Sequence, residues 1–298
     1  MARLLSAVER GGPEAHEVGR LTYPVGGTAY TVGLTGAPGS GKSTLTAQLI
    51  AHLRRQGDEV GVLAVDPSSP FSGGAILGDR VRMQDHALDE GVFIRSMATR
   101  GHLGGLALAT PEAVRLLDAV GFDWVLIETV GVGQVEVEVA GAADTTVVVV
   151  NPGWGDAVQA SKAGLLEIAD VFVVNKADRP GVEETTRDLR QMLELSDHSR
   201  PWLPPIVATV ALGGEGIAEA WAAVLAHRAQ LEDNGDLIAR RESRVAAELV
   251  RIVAERLESR AREVCRGEAY EDLRRDVLDR QLDPYSAADE ILAWVGSQ

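Results

Sequence analysis

Gly36-Ala37-Pro38-Gly39-Ser40-Gly41-Lys42-Ser43 has the residue types and spacing of a phosphate-binding loop, and the strand-like run Tyr30 to Thr35 ahead of it supplies the expected context. Glycines there let backbone N–H groups approach phosphate oxygens without an intervening Cβ, and let the turn adopt φ values that other residues avoid. Lys42 carries a point charge suited to β- and γ-phosphates, and the Ser43 hydroxyl is a ligand type for Mg²⁺. Thr44 opens a helical run to Ile50 whose amino-terminal dipole favours an anion. The pattern implies a nucleoside triphosphate site.

A second motif, Asn175-Lys176-Ala177-Asp178, follows the apolar run Val171 to Val174. A carboxylate in this position accepts hydrogen bonds from guanine N1–H and the exocyclic amine, groups that adenine lacks or presents differently, at about 1.5–3 kcal/mol for each charge-assisted bond. The motif therefore predicts GTP and GDP over ATP.

Three acidic residues are candidates to surround Mg²⁺ and, with Lys42, to serve catalysis. Glu128 closes the run Trp124 to Ile127 and begins Glu128-Thr129-Val130-Gly131, where phosphate-loop enzymes place an acid for the metal and a glycine near the γ-phosphate. Glutamate stands in place of the commoner aspartate and could bind the metal directly or through water. Asp66 ends Val60 to Val65, with an N-cap on the following turn as its alternative role. Asp79 lies in the Ser-, Gly- and Pro-rich stretch after Pro67, a candidate switch. Two further glycine-bearing stretches, 131–134 and 152–162, are also candidate switches. Gln134 lies three residues past Gly131, unlike the water-orienting glutamine that directly follows this glycine in Ras-type enzymes, which predicts slow intrinsic hydrolysis accelerated by a partner. His102, in Gly101-His102-Leu103-Gly104-Gly105, reads as a loop residue.

These residues sit at the ends of β-rich runs: Tyr30 to Thr35, Val60 to Asp66, Val92 to Arg95, Trp124 to Glu128, Thr145 to Asn151, Val171 to Asn175 and Ile206 to Val210. Helical patterns separate them, which predicts an α/β fold, a doubly wound and mainly parallel sheet with helices on both faces. Val147 to Val150 is apolar without alternation, as in a strand buried on both sides. Ligands of such sheets bind beyond the carboxyl ends of the strands, where the motifs fall. From Asp236 onward the sequence turns helical and charged, with Ile238, Val245 and Ile252 in heptad spacing beside Leu249, Val253 and Leu257. A second helical pair, Tyr270 to Leu282 and Tyr285 to Val295, is broken by Pro284. The pattern alone allows these helices to cover the chain's own sheet or to form a dimerisation arm. The expected organisation is an N-terminal segment, 1–28, a nucleotide-binding domain, 29–235, and a C-terminal helical extension, 236–298.

The formal charge of −15 over 298 residues opposes general binding to nucleic acid or anionic membranes. The lone cysteine, Cys265, excludes an internal disulfide framework and any Cys-x-x-Cys motif, and reads as a bystander. The N-terminus lacks the apolar core of a signal peptide and no run approaches a membrane span, so a cytoplasmic location is expected.

Taken with the phosphate loop, the stretches VDPSSPFSGGAILGDR (65–80), GHLGGLA (101–107), ETVGVGQVEVEVA (128–140) and NKAD (175–178) closely resemble the MeaB/ArgK (MMAA-type) family of GTPases associated with methylmalonyl-CoA mutase, within the SIMIBI class. The resemblance runs to LDPYSAADEILAWV (282–295). It implies a homodimeric G-protein chaperone of an adenosylcobalamin-dependent acyl-CoA mutase that gates cofactor loading and protects or reactivates the mutase. By the same resemblance Asp66, Asp79 and Glu128 surround the metal, and the segment Asp156 to Lys162, with Gln159, belongs to a third switch that communicates with the mutase. It also implies dimerisation through the C-terminal helices. The resemblance also makes Val210-Ala211-Leu212 the last base-contacting loop, where this sequence departs from the family by carrying Val210-Ala211 for the common Ser-Ala pair, with the Ala211 N–H still able to reach the guanine oxygen; the segment before the phosphate loop is also short. Two competing functions are a kinase-like phosphotransferase, following an older family label linked to amino-acid transport, and a nickel-insertion GTPase; the dispersed histidines provide no tract for the latter.

Overall fold

The computed structural model describes residues 1–66, 86, 88–98, 105–129, 141–153, 159–195 and 201–296, without the side chains of 66, 98, 105–108 and 159–163. Compact units span Met1–Arg241 and Glu242–Gln298.

In the first unit seven strands form one sheet: β1 (Tyr30–Thr35), β2 (Val60–Asp66), β3 (Val92–Ala98), β4 (Trp124–Thr129), β5 (Thr145–Val150), β6 (Val171–Asn175) and β7 (Ile206–Thr209). Their order is β3-β2-β4-β1-β5-β6-β7, with every neighbouring pair parallel. The expected doubly wound sheet is therefore present. The central strands are buried on both sides for the reason their sequences suggest: successive side chains point to opposite faces. Val147 and Val149 join the core beneath α3 (Lys42–Gln56) and α7 (Ile217–Asn234), with Leu45, Leu49, Ile50, Trp221 and Val224. Val148 and Val150 join the opposite core with Phe172 and Val174, under α5 (Gln159–Ile168) and α6 (Val182–Leu195).

The segment ahead of the phosphate loop folds as two helices, α1 (Ala2–Arg10) and α2 (Pro13–Thr22). Leu5 and Val8 bury against Leu63, Val65, Ile127 and the Leu116–Leu117 pair of α4 (Gly105–Val120). An ion pair between Glu9 and Arg95 of β3, 2.6 Å, ties α1 to the edge strand.

The amino edge of the sheet is latched by carboxylates. Asp144 accepts the Thr31 N–H (3.0 Å) and the Arg241 fork (3.1 and 2.7 Å), and its own N–H is donated to Thr31 Oγ1. Asp170 repeats the device one strand over, accepting the Thr146 N–H (2.8 Å) and lying 3.3 Å from Arg240. Between them His227, 1% exposed, places Nδ1 2.8 Å from Thr145 Oγ1, which also meets the Tyr30 hydroxyl at 2.8 Å. Burial pushes the imidazole below its ordinary pKa, Asp170 opposing and Arg240 reinforcing the shift. The unfolded chain takes up this proton near pH about 6.5, while the folded chain refuses it until a lower pH. Stability from this group is thus complete above the unfolded value and is lost as pH falls toward the folded one. The stability gap between wild type and His227→Gln should accordingly narrow between pH 7.5 and 5.5 in urea unfolding, values chosen to bracket about 6.5.

The helix α8 (Asp236–Val264) begins in the first unit and continues into the second, which also contains α9 (Glu268–Leu278) and α10 (Pro284–Gly296). Pro284 separates the two helices as expected and occupies the first position of the second, where the missing N–H costs nothing. α9 and α10 pack on one another, and Leu273, Ala287 and Val295 are buried. Along α8, Val245, Leu249, Val250, Val253 and Leu257 are exposed.

Candidate functional site

The phosphate loop leaves β1 at Gly36 and enters α3 at Lys42. Gly36 has φ +132° and passes so close to β5 that a Cβ would lie 2.1 Å from the Val149 carbonyl oxygen. At Gly41, φ +93°, a Cβ would fall 2.3 Å from Asn175 Nδ2. No side chain fits at either point. Gly39, with Pro38, is exposed at the tip, and no side chain caps the amino end of α3. Lys42 is 5% exposed and folds back into the loop, its Nζ donating to the carbonyls of Gly36 (2.7 Å) and Ala37 (3.0 Å). Ser40 is fully buried, while Thr44 is half-buried on the first turn of α3.

Register brings the acid to the loop. Glu128 pairs with Leu34 of β1 on one side and Ala64 of β2 on the other, so the β4 carboxylate emerges beside the start of α3. It is 4% exposed and accepts hydrogen bonds from Ser43 Oγ (Oε1, 2.6 Å) and Thr46 Oγ1 (Oε2, 2.9 Å). A serine hydroxyl against a carboxylate is a set of hard oxygen donors, the kind that Mg²⁺ takes, so these residues fit the metal that a triphosphate brings. Asp66 ends β2, one residue beyond the Val65–Thr129 pair, so its backbone lies on the same edge; its side chain is outside the description.

Asn175, at the end of β6 and 1% exposed, knits three loops together. Its Nδ2 donates to the Ser40 carbonyl (2.8 Å), and its Oδ1 accepts from Thr209 Oγ1 and the Ala211 N–H, both 3.1 Å. The Ala211 N–H expected to face a guanine oxygen is thus donated to Asn175. Lys176 adopts a left-handed conformation, φ +60°, and its Nζ donates to the Gly39 carbonyl. Asp178 follows, exposed at the rim. Val210 bridges Glu215 to close the neighbouring loop, where Ala211 is buried and Leu212 is 88% exposed. Phosphate loop, acid and guanine motif therefore converge on one sheet edge. Asp79, His102, Gly131, Gln134 and Asp156 lie outside the described residues, and Gln159 and Lys162 are described only as backbone in the first turn of α5.

One member of this cluster was not singled out from the sequence. Thr46 reads as an ordinary helical residue, and its signal was its spacing: three residues after Ser43, on the same face of α3.

The family profile described as methylmalonyl-CoA mutase-associated GTPase MeaB matches residues 1–266. The chain belongs to the MeaB family. Membership makes it a GTPase, and so a binder of guanine nucleotide, in agreement with the motif at Asn175. A Pyrococcus abyssi protein provisionally named a GTPase is 51% identical over 98% of this chain and 91% of its own length. Escherichia coli GTPase ArgK is 42% identical over 72% of this chain and 66% of its own, and a mouse protein named methylmalonic aciduria type A homolog, mitochondrial, is 37% identical over 88% and 65%. Among solved structures, one named LAO/AO transport system kinase superposes with a TM-score of 0.74 at 26% identity, covering 99% of this MeaB-family chain and 92% of its own. Helicobacter pylori HypB shares the fold, with a TM-score of 0.50 at 19% identity over 72% of this chain and 94% of its own.

Proposed function

We propose that this MeaB-family GTPase is a G-protein chaperone of an adenosylcobalamin-dependent acyl-CoA mutase, with methylmalonyl-CoA mutase the first candidate, and that it gates cofactor loading and protects or reactivates the mutase. The observation that carries the reading is the convergence of phosphate loop, buried acid and guanine motif in a chain matching a family described as mutase-associated. In this reading the backbone of Gly36, Ala37, Pro38, Gly39, Ser40 and Gly41 cradles the phosphates, helped by Thr44, and Lys42 swings from the Gly36 and Ala37 carbonyls to the β- and γ-oxygens. Ser43 and Glu128 would hold Mg²⁺, with Asp66 and Asp79 as further acids. When bound, the ion neutralises charge between the transferring phosphate and its leaving group. Asn175 orders the base loops, Asp178 reads guanine, and Lys176 and Leu212 flank the base.

The switches 131–134 and 156–162, with Asp156, Gln159 and Lys162, carry the nucleotide state to the mutase. The exposed apolar row on α8 supports a homodimer through the extension 236–298, with 29–235 as the GTPase domain and 1–28 ahead of it. Among the described residues no helix is long and apolar enough to cross a membrane; a cytoplasmic location is part of the proposal.

The test is GTP hydrolysis by the purified protein, alone and with each cobalamin-dependent mutase of the source organism, with ATP as the control nucleotide. Stimulation by one mutase is the expected result. Equal rates with and without every mutase would remove the chaperone assignment while leaving the GTPase.

A further inference from the structure

Thr46 is fully buried, and its Oγ1 lies 2.9 Å from Glu128 Oε2 and 3.0 Å from the Lys42 carbonyl oxygen. A threonine hydroxyl has one proton, and both neighbours are acceptors. The Lys42 carbonyl takes the helical N–H from the residue four positions on, whereas an ionised carboxylate is the stronger acceptor. The proton therefore goes to Glu128. Ser43 Oγ donates to the other oxygen of the same carboxylate at 2.6 Å. Two hydroxyls three residues apart on α3 thus receive the two oxygens of one glutamate. Of these, Ser43 belongs to the phosphate loop and Thr46 lies deeper in the helix.

From this geometry we infer that Thr46 is a positioning residue for the metal site: it holds Glu128 Oε2 against the body of α3, so that Oε1 alone faces Ser43 and the phosphates. The inference rests on the reading of Glu128 as a Mg²⁺ ligand. A glutamate has one more rotatable bond than the commoner aspartate, and a free carboxylate on that stem has several orientations to lose when the metal binds. Thr46 removes that freedom in advance, which is preorganisation of the ligand.

The experiment measures affinity for a fluorescent GDP analogue across a Mn²⁺ titration and in EDTA, with Mn²⁺ binding to the nucleotide-loaded protein followed independently by electron paramagnetic resonance. Thr46→Val keeps the volume and removes the hydroxyl, and Thr46→Ala does so without β-branching should the valine variant fold poorly. Both should raise the Mn²⁺ concentration for half-saturation about tenfold, the effect of losing a hydrogen bond to a charged group. Nucleotide affinity in EDTA should stay at the wild-type value, and Thr46→Ser should restore the metal dependence. Wild-type Mn²⁺ dependence in Thr46→Val and Thr46→Ala would overturn the inference, as would an equal loss of nucleotide affinity with and without metal, which marks a structural role. Glu128→Gln separates the two claims. If it leaves Mn²⁺ dependence unchanged, the metal reading of Glu128 falls and takes the inference with it; if it abolishes that dependence while the Thr46 variants do not, only the inference falls.

Discussion

Lys42→Ala should reduce GTP hydrolysis by at least about 10²–10³-fold, the loss that follows removal of one preorganised donor to developing charge, while the protein still unfolds cooperatively. Lys42 is 5% exposed, and its ammonium is parked on the Gly36 and Ala37 carbonyls. The loop keeps other supports when that group is lost: the contact of Gly36 with Val149, the Asn175 bond to the Ser40 carbonyl and the Lys176 bond to Gly39. The cost of the substitution therefore falls on phosphate binding more than on the fold. The sequence contains only three lysines, Lys42, Lys162 and Lys176, all other basic side chains except histidine being arginines. The compact ammonium of Lys42 is a point charge that a planar guanidinium does not reproduce, so Lys42→Arg should fail as well. Phosphate release over many turnovers, compared at saturating GTP, gives the measurement. Turnover at the wild-type rate in Lys42→Ala would mean that this loop is not where GTP reacts.

Much of the fold was legible in the sequence because it rests on local signals. Apolar runs such as Val147 to Val150 declare a strand covered on both faces, and their alternation with helical patterns declares a parallel sheet. Strand order was not legible. It depends on which neighbours pair, and here it is set partly by long-range contacts such as Asp144 with Thr31 and Asp170 with Thr146, each carboxylate satisfying an N–H of the adjacent strand. The helices before the phosphate loop were seen only as a short segment. Their burial rests on a few side chains, Leu5 and Val8 above all, which lie among charged residues in the sequence.

The site divides in the same way. Lys42, Ser43, Asn175 and Asp178 stand in spaced motifs whose residue types announce their chemistry. Thr46 and Ala211 do not: a hydroxyl inside a helix and a backbone N–H after a strand acquire roles only when Glu128 and Asn175 arrive from elsewhere in the chain. Local motifs also end where the chemistry depends on Asp79, Gln134 and Asp156, which lie outside the described residues.

Asp178→Asn should weaken GTP binding by at least about tenfold and shift preference toward xanthine nucleotides, because each lost hydrogen bond to a charged acceptor costs about 1.5–3 kcal/mol and about 1.4 kcal/mol is tenfold in affinity. The loop that presents Asp178 is held without its help. Asn175 anchors the strand end, the left-handed Lys176 turns the chain, the Arg179 N–H closes the turn on the Lys176 carbonyl at 3.0 Å, and the Ala177 N–H is donated to the Thr209 carbonyl at 2.9 Å. Asp178 itself is exposed, so replacing it leaves no buried charge and perturbs no core. The substitution therefore tests base recognition apart from folding. An aspartate offers two acceptors to the N1–H and amine of guanine, whereas asparagine offers one acceptor and one donor. Its donor meets guanine's amine unfavourably and suits the carbonyl that xanthine carries at the same position. Competition of GDP and XDP against one fluorescent nucleotide measures both effects at once. Unchanged GDP affinity would remove Asp178 from the base site, whereas loss of GDP and XDP binding together would point to a collapsed loop. Only the exchange of one preference for the other identifies a carboxylate that reads the base.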